Sequence, residues 1–308
     1  MRGASFHHDV LLYGGPGDLA RQAAPLIAAA RAAGAAFVAA VPRAHVDDVA
    51  SLLGDDTSDT VTETDGIARN PGRLLEVWAD ALDGARRSGR PLVGIAEVVW
   101  PERTDAELEE CWISEVLIEA AFAEGDDLHL VCAYDVATLD PATLDRACAH
   151  HATMFHEGTP WENDHYRPEL PAAVLSHPLA PVPPGARRIN VRLDDLPELR
   201  EDVRALARSY GVSERRVDDL VLATNELASN TVRHGGSDGV VEIWIRDGSI
   251  WCEVNDSGRI DDPYVGRRRP ATHDTGGRGV WIAHQVCDLV QVRSSSNGTR
   301  IRIRMAIA

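Results

Sequence analysis

The sequence contains no lysine, so all 31 of its cationic residues are arginine. Every cationic role must therefore fall to arginine or to backbone N–H groups. That absence decides one motif at once. "YGGPGDLA" (Tyr13 to Ala20) sits between a strand and a helix like a phosphate-binding loop, but lacks the closing Lys-Ser/Thr. It is read as a tight turn before a helix. Cysteine is sparse: Cys111, Cys132, Cys148, Cys252 and Cys287 are odd in number and widely spaced, with no C-x-x-C. They read as small buried hydrophobes in a reducing compartment rather than a disulfide framework. No apolar run is long enough to span a bilayer, and "MRGASFHHD" lacks the pattern of a signal peptide. The expectation is a cytoplasmic protein that does not enter a membrane. Positive charge is also short, the net charge being −17. No basic footprint exists for direct binding to a nucleic-acid backbone.

What is present is enough for two cores: 308 residues, 44% of them hydrophobic. From Asp9 to about Met154 short apolar runs alternate with helical stretches. "VLLYG", "AAFVAAV", "PLVGIAEVVW" and "LHLVCAYD" read as strands. Between them, "LARQAAPLIAAARAAG" ends at Gly34, "PRAHVDDVASLLG" opens on Pro and closes on Gly, and "TDAELEECWISEVLIEAAFAEG" has Thr104 as its N-cap. This alternation predicts an α/β domain with a mostly parallel sheet covered by helices on both faces. From residue 158 to 186 the chain turns proline-rich and aperiodic, which reads as a semi-rigid linker, the alternative being a loop packed on one domain. Domain limits of 1–157, 158–186 and 187–308 follow.

Beyond the linker the order changes to strand, two helices, hairpin, helix, hairpin. That predicts an α+β sandwich of one sheet and one helical layer. The second helix, capped by Ser213 and running to about His234, contains "NELASNTVRHGG" (Asn225 to Gly236). At about 100° per residue, Val217, Leu220, Thr224 and Thr231 share a core face. Glu226, Asn230 and Arg233 share the opposite one, where Ala223 leaves room above the helix. Downstream come Asp256 at a strand end in "VNDSGRI", a glycine-rich loop against a helix start in "HDTGGRGVWIAHQVCDLV", and Thr299 entering the last strand in "NGTRIRI".

These four elements, in this order, resemble the GHKL (Bergerat-fold) ATPase domain of gyrase-type enzymes and histidine kinases. Within that superfamily they are most similar to the bacterial anti-sigma-factor serine/threonine kinases. The resemblance implies ATP and Mg²⁺ as cofactors. It implies that Asn230 holds Mg²⁺ and that Glu226 is the general base. Asp256 would accept from the adenine amino group, with Gly258 letting the backbone pass the base. Gly277, Arg278 and Gly279 would lie at the phosphates, and Thr299 behind the adenine. His234 and "RRRP" (Arg267 to Pro270) stay open between site and surface. Ile260 departs from the family, standing where many relatives carry a second glycine. A proline-rich stretch, rather than a dimerising helix with a phospho-acceptor His, precedes the domain. Transfer to a Ser or Thr of a partner is therefore expected, or partner control by ATP binding alone. The implied partners are a sigma factor and/or a STAS-type anti-anti-sigma factor.

Residues from about 6 to 155 resemble the MEDS sensory domain in "FHHDVLLY", "VAAVP", "IARNPGRLLEVW", "GIAEVVWPER" and "LVCAYDVATLDP". That resemblance implies a RecA-like fold, a small-molecule signal and a possible homodimer. If a ligand pocket exists, it should lie at the carboxyl ends of the strands, with His7, Glu97, Trp100, Tyr134 and Asp135 as candidates; the alternative is structural, with Trp100 and Tyr134 in the core and Asp135 in the turn toward a helix. "CAHHATMFHEG" gathers Cys148, His150, His151 and His156. Their spacings fit no standard zinc finger, and adjacent histidines on a helix diverge, so no metal is expected there.

Overall fold

The computed structural model describes residues 6–15, 17–53, 60–64, 69–122, 126–234, 239–271 and 276–307. The side chains of Leu193 and His234 fall outside the description. The chain divides into two compact units, Met1–Glu169 and Leu170–Ala308.

Unit 1 is the expected α/β domain. Its strands are β1 (Phe6–Tyr13), β2 (Ala36–Val41), β3 (Thr60–Glu63), β4 (Leu92–Ala96), β5 (Leu128–Asp135), β6 (Thr153–His156) and β7 (Thr159–Glu162). They form one sheet in the order β3-β2-β4-β5-β1-β6-β7. All neighbours are parallel except β6 and β7. The described helices are α1 (Asp18–Ala32), α2 (Arg43–Leu53), α3 (Leu74–Arg87), α4 (Asp105–Ala121) and α5 (Pro141–His150). In β1 the side chains alternate. Leu11 and Tyr13 join Val131 and Ala133 of β5 in a core with α1 and α2. His8, Val10 and Leu12 face the other way, in register with Leu130, Cys132 and Tyr134. Thr104 caps α4 as expected. Its hydroxyl accepts from the Glu107 N–H, and Glu107 accepts in turn from the Thr104 N–H at 2.8 Å, a capping box.

Unit 2 contains β8 (Arg187–Val191), α6 (Leu196–Ser209), α7 (Glu214–His234), β9 (Gly239–Arg246), β10 (Ser249–Asp256), α8 (Arg278–Val286), β11 (Leu289–Ser295) and β12 (Gly298–Ala306). The sheet is antiparallel throughout, ordered β11-β12-β10-β9-β8. The turn at Asp247 and Gly248 has φ of 48° and 67°, the type I′ geometry that a two-residue hairpin favours. One face of the sheet, including Ile243, Cys252, Val290 and Ile303, packs on Leu199, Val203, Val217 and Leu220 of the helices. The architecture is the mixed α/β and α+β pairing expected, with the second unit in a GHKL-type sandwich.

The stretch expected as a linker is divided between the units. β6 and β7 form an antiparallel hairpin on the parallel sheet, and every residue of β7 is exposed, so its sequence carries no alternation to read. Asn163 donates its side-chain amide to the Cys148 and His151 carbonyls, fastening the segment that follows to α5. From Leu170 the chain belongs to unit 2. A 3₁₀ turn at Pro171–Ser176 buries Val174 and Leu175, the latter in the core of that unit. Arg302 donates to the Ala180 carbonyl at 2.7 Å. No described helix is long and apolar enough to cross a membrane.

Candidate functional site

α7 is 21 residues long, and its two faces do different work. Val217, Leu220 and Thr224 are buried toward the sheet. Glu226 and Asn230 lie one turn apart on the side against which α8 packs, and both are half-buried. The room expected above Ala223 is filled, since Ala223 is fully buried. The contact between the two helices is close. A Cβ placed on Gly279 would stand 2.5 Å from Asn230 Nδ2 and 3.3 Å from Glu226 Cβ. Glycine at 279 is thus required sterically, to bring the first turn of α8 onto the carboxylate-and-amide pair. Among the described residues neither Glu226 nor Asn230 spends its side chain on a hydrogen bond.

α8 begins at Gly277, whose φ of 79° is the left-handed conformation that glycine adopts without strain. No side chain caps this helix start, so its first N–H groups remain directed outward, an arrangement suited to an anion. Gly266, with φ of 71°, passes so close to α8 that a Cβ there would stand 2.5 Å from Val280 Cγ1.

Asp256 closes β10 and pairs across the sheet with Thr299. Its carboxylate is fixed twice: Oδ1 accepts from the Gly258 N–H at 2.7 Å, and Oδ2 accepts from the Thr231 hydroxyl at 2.8 Å. Each oxygen keeps a lone pair for a further donor. Thr299 donates to the Gly258 carbonyl at 3.0 Å and so accepts from Ser294 Oγ at 2.9 Å; Ser294 accepts from the Ile260 N–H at 2.8 Å. This one-way chain of donors pins residues 258–260 to β11 and β12. Ile260 explains itself here. The non-glycine residues with positive φ among those described are Glu157 and Asp247, so the backbone at 260 does not need glycine. Its side chain packs against the core instead.

These groups surround a cavity of about 190 Å³ lined by Leu227, Ile260, Val265, Val280 and Ile301 as apolar walls, with Asn230, Thr231, Asp256, Gly258, Gly277 and Thr299 among its polar and backbone edges. An apolar slot with one fixed carboxylate at its floor suits a flat base bearing an N–H donor. Sequence reasoning placed Thr231 on the core face. The structure makes it a partner of Asp256, the residue 25 positions downstream. Ser294, Gly266 and the apolar walls were also missed, because their roles arise from strand register and loop packing rather than from local spacing. Glu226, Arg278 and Gly279 do not line the cavity itself. Arg278 is exposed on the first turn of α8. The "RRRP" segment is anchored: Arg267 is buried, and Arg268 and Arg269 lie over the rings of Tyr264 and Trp281. The His234 side chain is outside the description.

An antiparallel sheet under helices, with a helical Asn over a glycine-opened helix start and a strand-end Asp beneath, defines a GHKL-type ATP-binding fold. Comparison with known families gives the domains. Residues 189–305 match the histidine kinase-like ATPase domain, and residues 7–152 match MEDS, the methanogen/methylotroph DcmR sensory domain. The chain thus matches a MEDS sensory domain and, after it, a histidine kinase-like ATPase domain, a match that implies ATP binding. Among solved structures it is similar to the RsbU and RsbW domains of Rv1364c from Mycobacterium tuberculosis, at 19% identity over 42% of this chain and 33% of that one, TM-score 0.32. It is also similar to the histidine kinase AdeS of Acinetobacter baumannii, at 13% identity over 39% of this chain and 68% of that one, TM-score 0.22. The chain spans about a third of the first of these, and neither likeness bears on function. No curated protein matches.

In unit 1 the five sensory candidates do not converge. Glu97, just past β4, accepts from the Tyr13 hydroxyl at 2.8 Å, with His45 Nε2 3.7 Å from its other oxygen. Burial and the Glu97 charge push the Tyr13 phenol up, so it remains a donor. This trio lies at the carboxyl ends of β1 and β4, where a pocket was expected, but Tyr13 and His45 were not singled out. Trp100 carries the Arg103 guanidinium over its ring at 3.7 Å. Asp135 is occupied with turns, accepting from the Gly15 and Ala137 N–H groups. Tyr134 points to the opposite face, where its hydroxyl donates to Glu115. His7 sits at the amino ends of the strands, lining a groove of about 290 Å³ with Pro91, Asp127 and His129. It is therefore removed from the set expected at the carboxyl ends. A strand of eight residues separates its two ends by about 25 Å, and His7 and Glu97 lie toward opposite ends of the sheet.

Proposed function

We propose that this chain is an anti-sigma regulatory protein whose C-terminal unit binds Mg-ATP and phosphorylates a Ser or Thr of a STAS-type anti-anti-sigma partner. Loss of that partner's grip frees the unit to hold a sigma factor. The observation that carries the reading is the Glu226–Asn230 pair facing the helix start that Gly279 brings against it. Asp256, oriented by Thr231 and Gly258, accepts from the adenine amino group, and Thr299 holds the backbone behind the base. The uncapped start of α8, with Gly277 and Arg278, takes the phosphates. Asn230 offers an amide oxygen to Mg²⁺, which prefers oxygen ligands and keeps its remaining waters. Magnesium, when bound, neutralises phosphate charge. Glu226 takes the proton of the attacking hydroxyl as its oxygen bonds to the γ-phosphorus, and ADP leaves. A small molecule at unit 1 sets which partner is held, through a preference for one of two arrangements of the chain.

The test uses the full chain with a purified STAS-type partner. Label should pass from γ-labelled ATP to that partner, and Glu226→Ala should still bind ATP yet lose transfer. Nucleotide-dependent exchange of partners without any label transfer would instead establish an ATP-binding switch with no kinase step. Failure of the full chain to take up ATP or ADP at millimolar magnesium, measured by calorimetry, would sink both readings.

A further inference from the structure

On the face of the unit 1 sheet turned toward α4, four buried side chains from separate parts of the chain meet: His8 of β1, Glu115 of α4, Cys132 of β5 and His151 just after α5. Their ligand atoms all lie within 4.8 Å of one another. His8 Nε2 is 3.1 Å from Glu115 Oε2 and 3.3 Å from Cys132 Sγ. Glu115 Oε2 is 3.6 Å from Cys132 Sγ and 3.6 Å from His151 Nε2. The edges of a tetrahedron built on zinc bonds to N, O and S are about 3.3–3.6 Å; the His8–Cys132, Glu115–Cys132 and Glu115–His151 separations fall in that range, and the remaining ones, within 4.8 Å, would close by about an ångström at most on binding.

The outward-facing atoms of the same residues are already engaged. His8 Nδ1 bonds Glu119 Oε2 at 3.0 Å, His151 Nδ1 donates to the Ala147 carbonyl at 2.8 Å, and Tyr134 donates to Glu115 Oε1 at 2.9 Å. Carboxylate, carbonyl and hydroxyl partners of this kind fix the tautomer and orientation of metal ligands. They leave both Nε2 atoms, Oε2 and Sγ turned toward one another, where the metal-free cluster shares protons between His8, Cys132 and Glu115 and a metal would take their place. His151 gives the second, independent sign. Because Nδ1 must carry the proton given to the Ala147 carbonyl, Nε2 of the neutral imidazole is a bare lone pair. That lone pair is fully buried, has no hydrogen-bond partner and faces the Glu115 carboxylate. Two acceptors aimed at each other in a dry interior are costly unless a cation lies between them.

We infer that His8, Glu115, Cys132 and His151 form a closed four-ligand zinc site that clasps α4 and the end of α5 to the sheet of the sensory domain. Two imidazoles, a thiolate and a single carboxylate oxygen form a borderline-soft set of the kind zinc takes. With four protein ligands and no open position, the ion holds structure and does not perform chemistry. The histidine-rich stretch "CAHHATMFHEG" contributes one ligand, not several. Cys148 and His150 are not in the cluster, and His156 bonds Gln22 instead. The remaining ligands lie far off in sequence, so no motif spacing announces the site. This site is independent of the nucleotide pocket.

The experiment is metal analysis of the full chain, dialysed against a weak chelator and then read by mass spectrometry. About one zinc per chain is expected, and a cobalt-substituted sample should show intense tetrahedral ligand-field bands with a thiolate-to-cobalt charge-transfer band. Cys132→Ser and His151→Ala should each weaken zinc affinity by at least about tenfold, as should Glu119→Gln acting through His8. Cys148→Ser and His156→Ala should leave metal content unchanged. The cobalt spectrum of the unaltered chain reports the thiolate directly, so the assignment does not depend on the variants folding. Wild-type chain that binds no zinc above a tenth of an equivalent and shows no thiolate band on cobalt addition would overturn it. Full retention of metal by folded Cys132→Ser would do the same.

Discussion

Asp256 shows how a single carboxylate is fixed in place before any ligand arrives. A free aspartate samples several rotamers; here one oxygen is held by the Gly258 N–H and the other by the Thr231 hydroxyl. Orientation set before binding need not be paid for by the ligand. Thr231→Val isolates this effect. Valine keeps the methyl that abuts Gly239, where a Cβ would overlap Thr231 Cγ2, but removes the donor to Oδ2. One lost hydrogen bond is worth about 1 kcal/mol, so calorimetry should show ATP affinity about fivefold weaker, with the melting temperature nearly unchanged. Thr231→Ser should restore affinity. An unaltered affinity in the valine variant would remove Thr231 from the site. The place of Asp256 at a strand end was legible in the sequence through its motif. Thr231 was not: its helical position reads as core, and only the register of β10 against α7 reveals a polar partner. Ile260 looked like a defect in the sequence, yet its backbone needs no glycine and its N–H is held by Ser294.

At the level of elements, the site is a helix pair pressed together over a sheet edge. The stripe on α7 was legible because period alone puts residues 226 and 230 on one side. The glycines of "TGGRG" read as a loop, but Gly279 serves close helix packing while Gly277 serves the turn. Gly279→Ala tests the distinction. The new methyl meets Asn230 Nδ2 at 2.5 Å, and relief requires α8 to shift or the amide to rotate. Overpacking of this kind costs about 1–3 kcal/mol. The expected result is a lower melting temperature together with at least about a tenfold loss of Mg-ATP affinity. Because the same amide is the magnesium ligand of the proposed mechanism, the loss should be larger for Mg-ATP than for metal-free ATP. An equal loss for both would place the damage in the helix rather than at Asn230.

For the molecule as a whole, the border between units is where composition leaves two readings open. Proline-rich, aperiodic sequence from 158 to 186 has the look of a tether, yet hydrogen bonds and burial assign its first part to unit 1 and its second to unit 2. Prolines are compatible with both a solvated spacer and a pinned extended segment, and what separates the two is the fate of Val174 and Leu175, both nearly inaccessible to solvent. A fragment of residues 187–308 omits them and leaves Arg302 without the Ala180 carbonyl; a fragment of 170–308 keeps all three. Burying two such side chains contributes roughly 3 kcal/mol, discounted for the compactness of the unfolded chain. The longer fragment should therefore melt on the order of 10 °C higher and bind ATP where the shorter binds it weakly. Coincident melting curves would show that the 3₁₀ turn adds nothing to the ATPase fold. The longer fragment then supplies the reference for coupling. If the sensory unit biases nucleotide binding, ATP affinity of the full chain must differ from that of 170–308, and by linkage the small-molecule signal must shift it further. Equal affinities would confine any signal to the choice of partner.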